Sequence, residues 1–178
     1  MRFRTLACAA LCLASPLANA DAVSDWNRIA CQAVADAKMG PPFANRALAI
    51  AHTAIYEAVN AITRKYPSSR PGIQAAAGAS VDAAVAAAGR AALANLVPAQ
   101  AAAIEDAYRN ALAAIPDGPA ESSGVAAGEA AAAAILAERA NDGAAAQENY
   151  RPATTIGVYV PTTLPAVPQH EHVAVPGE

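Results

Sequence analysis

The sequence predicts an all-α protein, about five helices in a bundle-like array followed by an extended, Pro-rich C-terminal tail. Three observations carry this. Apolar residues make up 55% of the 178-residue chain, against 4% aromatic and 15% charged. The excess is mostly alanine, the best helix former because ordering costs it no side-chain entropy. Apolar positions recur at three- and four-residue steps, and proline and glycine break the runs at helical lengths. Alanine contributes little buried surface, at about 0.8 kcal/mol per apolar carbon, so the helices are expected to pack closely around a thin core.

The first helix is expected from Ser24 to Lys38, with Trp26, Ile29, Ala30, Ala33, Val34 and Ala37 on one stripe. Ser24 or Asp25 can cap it, and Gly40-Pro41-Pro42 ends it. The second spans Phe43 to Ile62, with Ala47, Ile50, Ala51, Ala54, Ile55, Ala58, Val59 and Ile62 as its apolar face. A polar loop over Pro67 to Gly72 leads to a third helix, capped by Ser80 and closed by Pro98. Pro98 also opens the fourth, because proline at the first helical position loses no needed hydrogen bond. Ile104, Tyr108, Leu112 and Ile115 mark that stripe. Pro116-Asp117-Gly118-Pro119 makes a turn with Asp117 as the expected cap of a fifth helix, which reaches Asn141-Asp142-Gly143. Gly124 and Gly128, four apart, would let a neighbouring backbone come close.

Three regions follow: a leader over 1–20, a helical domain over 21–143 and a tail over 144–178. Arg2 and Arg4 precede the short apolar run Leu6 to Leu13, and Ala18-Asn19-Ala20 has the small-x-small form of a cleavage site. That order predicts export, to the periplasm or beyond, with a mature start near Asp21. The apolar run is too short to span a bilayer. Cys8 and Cys12 leave with the leader, so Cys31 is expected as a lone, buried small hydrophobe. In the tail, prolines at 152, 161, 165, 168 and 176 forbid a helix. A net charge of -3 and a pI near 5.6 argue against a nucleic-acid partner.

Few side chains offer chemistry. Phosphate loops, zinc-binding HExxH and paired CxxC motifs are missing from the sequence. His52 shares a helical stripe with Tyr56 and Asn60, and Arg46 and Glu57 lie on neighbouring faces. A general base or ligand is one reading of His52. A buried hydrogen-bond network that orients the helix is the other, and the residues favour it, since one histidine without a second ligand or a nucleophile defines no mechanism. His170-Glu171-His172 could chelate a metal, but from a tail that supplies no supporting shell. Glu105, Asp106, Glu121, Glu129 and Glu138 read as solvating charge.

Taken in order, several stretches resemble the N-terminal region of bacterial vanadium-dependent haloperoxidases, which belong with the type 2 phosphatidic acid phosphatases. These are Asp25-Trp26-Asn27, the run from Arg46 through His52, Tyr56 and Asn60 to Ile62, Val97-Pro98-Ala99-Gln100 and Ile115-Pro116-Asp117-Gly118-Pro119. Gly128-Glu129, Ala140-Asn141-Asp142-Gly143 and Tyr150-Arg151-Pro152 continue the series. The resemblance fades after Pro168-Gln169 and so covers nearly the whole mature chain.

The resemblance implies a helical bundle in which vanadate or phosphate is held by Lys, Arg, a Ser-Gly-His segment and an Arg…His segment. Those groups belong to the family's C-terminal half. None can be placed here: the sequence has no Ser-Gly-His, and its only lysines, Lys38 and Lys65, lie in the wrong region. No catalytic, cofactor-binding or metal residue is therefore carried over, and vanadate is implied only for full-length family members. The expected function is an exported N-terminal helical portion of such a protein, inactive alone, whose partner is a missing C-terminal catalytic half or a second copy. A truncated gene product, half of a split protein and a reused module all fit. The alternative is a stand-alone periplasmic helical binding or scaffold protein.

Overall fold

The computed structural model describes residues 21–67, 70, 72–146 and 156–157. The leader, the His170-Glu171-His172 segment and nearly all of the proline-rich tail lie outside the described residues. Those described form five α-helices and no strand, as the alanine periodicity predicts.

Helix α1 is Ala22–Asp36 and begins earlier than expected. Its cap is Asp21 rather than Ser24 or Asp25: the extended Asp21 backbone (φ -67°, ψ 158°) lets its carboxylate accept the Ser24 N–H at 2.8 Å. Helix α2 is Pro41–Thr63. Pro41 and Pro42, expected only as terminators of α1, start α2 itself, where no intrahelical N–H is needed. It ends at Arg64, whose left-handed backbone (φ 50°) returns its N–H to the Asn60 carbonyl.

Helix α3, Val81–Leu96, is capped as expected, with the Ser80 hydroxyl accepting the Ala83 N–H. Pro98 opens a single 3-10 turn, Pro98–Gln100, before α4 at Ala101–Ala113. Helix α5, Pro119–Glu138, is capped by Gly118 and not by Asp117. Gly118 adopts φ 151°, ψ -171°, a region open essentially only to glycine, and this sets the helix start one residue later. The helix also stops before Asn141, and Gly143 takes its left-handed conformation (φ 85°) inside the following turn.

Helix α3 is the axle: α1, α2, α4 and α5 all pack on it. Every residue from Ala83 to Gly89 is buried, which only a helix of small side chains permits with neighbours on all sides. Helices α3 and α5 come closest. A Cβ at Gly124 would lie 2.3 Å from the Ser80 carbonyl oxygen, and one at Gly128 2.4 Å from that of Ala84. The Ser80 N–H also donates to the Ala120 carbonyl, so the two helices start in register. The large side chains buried most completely are Trp26, Val85, Leu93, Val97, Ile104 and Ile135.

Cys31 departs from expectation. It is exposed, with its Sγ 3.9 Å from Asn27 Oδ1. The buried stripe of α1 is Trp26, Ala30, Ala33 and Val34, and a step of one residue past Ala30 rotates Cys31 off it. No helix among the described residues is long and apolar enough to cross a membrane.

Candidate functional site

The polar groups singled out from the sequence cluster on α2. His52, half-buried, has Nε2 2.9 Å from Asn27 Oδ1 on α1. Asn60, 4% exposed, clasps the chain beyond α2: its Nδ2 donates to the Tyr66 carbonyl, and its Oδ1 accepts the Tyr66 N–H. Tyr56 is 45% exposed, its ring centroid 6.3 Å from that of Tyr66. The three thus share a stripe without bonding one another. His52 ties α2 to α1, Asn60 ties α2 to the next loop, and Tyr56 faces solvent.

Two arginines then join α2 to α5. The Arg46 Nε and Nη2 donate to both carboxylate oxygens of Asp142 at 2.9 and 3.1 Å, and Nη2 also reaches the Arg139 carbonyl at 2.9 Å. Such a bidentate fork is the strongest ion-pair geometry available to arginine. Burial raises the Asp142 carboxyl pKa, but hydrogen bonds from Arg46 and from the Ala144 N–H outweigh this and hold it below its ordinary value. Arg70 bridges two carboxylates. Its Nη1 donates to Glu57 Oε1 at 2.7 Å, and Nη2 and Nε donate to Glu138 Oε2 at 2.7 and 3.0 Å. Glu57 is only 3% exposed, so a cation beside it offsets the cost of taking its charge out of water. The hydrogen bond to Glu138 leads in raising the Arg70 pKa against desolvation.

A third group lies on the α3–α4 side. Arg90 Nε is 3.0 Å from Glu105, its Nη1 is 3.7 Å from Glu129, and its guanidinium lies 5.1 Å from the Tyr108 ring centroid. Desolvation pushes the Tyr108 phenol up, against the field of Arg90. The acidic residues read as solvating charge therefore divide. Glu105, Glu129 and Glu138 are paired with arginines from other parts of the chain, and Asp106 pairs with Arg109 one turn along α4. Nothing in the sequence signals these duties of Arg70, Arg90 and Asp142, since no periodicity marks a pair of charges brought together across the fold.

Chemically this is a set of internal ties. The described guanidiniums of Arg46, Arg70 and Arg90 face carboxylates, and no group of three or more His, Cys, Asp and Glu that could hold a metal exists among the described residues. An open groove of about 630 Å3 lies between α1 and α4, lined by Trp26, Ile29, Ala111 and Ile115 together with Asp25, Arg28 and Asn110. What fold and site define is an all-α body with its charges paired between helices. The chain matches no family model, no curated protein and no solved structure.

Proposed function

We propose that this chain is the exported N-terminal helical portion of a vanadium haloperoxidase-like or type 2 phosphatidic acid phosphatase-like protein, serving as scaffold for chemistry performed by groups outside it. One observation carries the reading. Four residues of the resembling stretches pair with each other across the fold. Arg46 of the second stretch grips Asp142 of a late one, 96 residues on. Asn27 of the first meets His52 of the second, and Gly128 lies against α3 with room for no side chain. Residues with these duties fix helices in place, and their cations are already neutralised, so a tetrahedral oxyanion finds no unpaired fork among them. The test is bromination of a phenolic dye by the purified chain with orthovanadate, bromide and peroxide. Scaffolding predicts the rate of the protein-free blank, and turnover above it overturns the proposal.

The groove between α1 and α4 favours a second reading, a stand-alone helical binding protein. A saturable small-molecule ligand, lost when Ala111→Trp fills the groove, would select it.

A further inference from the structure

Beyond Ile135 no described residue is buried, although Leu136 still leans on the core. The last turn of α5 and the turn after it are therefore held by something other than apolar burial. Beside the backbone hydrogen bonds of Arg139 to Ile135 and of Ala140 to Ala137, the side-chain contacts that remain are charged. Arg46, on α2, grips Asp142 and the Arg139 carbonyl. Arg70, seated on the buried Glu57 of α2, grips Glu138. Asp142 in turn accepts the Ala144 N–H at 3.2 Å.

We propose that residues 138–144 form an acid-released clasp: pairing to Arg46 and Arg70 fixes the end of α5 and the turn after it, and protonation of Asp142 frees this segment while the helical body stays folded. The charged groups meeting here are Arg46 and Glu57 from α2, Arg70 from the α2–α3 connection, Glu138 and Arg139 from α5, and Asp142. Arginine keeps its charge at every accessible pH, so the carboxylates alone set the response. The folded Asp142 carboxyl is held below its ordinary value. Its contribution is therefore full above the unfolded value, about pH 4, and is lost as pH falls below it. Nothing apolar replaces the lost charge in this segment. The core around Leu93 and Ile104 is held by buried apolar contacts, with the charges of Arg90, Glu105 and Glu129 at its half-exposed edge.

Amide hydrogen exchange of the full chain at pH 7 and pH 2.5, corrected for intrinsic rates, tests this. At pH 2.5 the Arg139, Ala140 and Ala144 amides should lose about tenfold or more in protection relative to Leu93 and Ile104, because the turn is released from Arg46 and the Ala144 N–H loses its charged acceptor. Asp142→Asn, nearly unchanged in shape, should reproduce the loosening of Ala144 at pH 7. The proposal fails if segment and core lose protection together. It fails equally if the segment is indifferent to pH, or if Asp142→Asn leaves the Ala144 amide as protected as before.

Discussion

Replacing Gly128 with alanine decides whether α3 and α5 touch backbone to backbone. The added Cβ would lie 2.4 Å from the Ala84 carbonyl oxygen and 2.8 Å from both the Ala87 Cβ and the Ala88 nitrogen. Two of these atoms are backbone, which no rotamer change can move. Helix propensity acts the other way, since alanine gains about 1 kcal/mol over glycine in a helix interior. Overpacking a tight interior costs about 1–3 kcal/mol, and an immobile neighbour argues for the upper end. The difference is a net loss of about 2 kcal/mol. At about 4 °C per kcal/mol for a body of this size, Tm should fall by about 8 °C. Thermal melts followed by circular dichroism at 222 nm measure it. Gly72→Ala is the control, because nothing lies within 4 Å of the place its Cβ would take. A rise in Tm for Gly128→Ala would mean that propensity alone governs the site, and the close crossing of α3 and α5 would be refuted.

Other substitutions probe the remaining ties. Trp26→Ala empties the largest buried side chain and should cost about 3–5 kcal/mol, read as a drop in urea midpoint. Arg70→Gln takes a cation from the buried Glu57 and should cost about 3 kcal/mol, whereas Glu138→Gln, whose side chain is 45% exposed, should cost about 1 kcal/mol or less. Equal urea midpoints for those two variants would contradict the burial of Glu57. Cys31, being exposed, should react with an aromatic disulfide reagent in the native state at a rate near that of a free thiol, and a requirement for denaturant would return it to the core.

The helices were legible because each carries its own signal. Ser80 caps α3 as its type and position predict, and the apolar stripes of α1 and α2 are the buried ones. Boundaries were less legible where two residues competed for one duty. Asp21 outcompeted Ser24 because its carboxylate reaches the third helical N–H, and Gly118 outcompeted Asp117 through backbone geometry that only glycine adopts. Gly124 and Gly128 announced a close approach by their spacing, which the α3–α5 crossing fulfils. The polar stripe of His52, Tyr56 and Asn60 was visible, but not its division into three separate duties. Least legible were Arg46–Asp142 and Arg70 with Glu57 and Glu138. A charge forms its tie wherever the fold delivers a counter-charge, and nothing local records a partner as distant as 96 positions.

Equilibrium dialysis of the full chain against orthovanadate tests most directly whether these cations serve structure rather than ligand. The pairing of Arg46, Arg70 and Arg90 with carboxylates predicts retention no greater than that of an inert protein of equal charge. Saturable uptake of one oxyanion per chain, competed by phosphate, would contradict it.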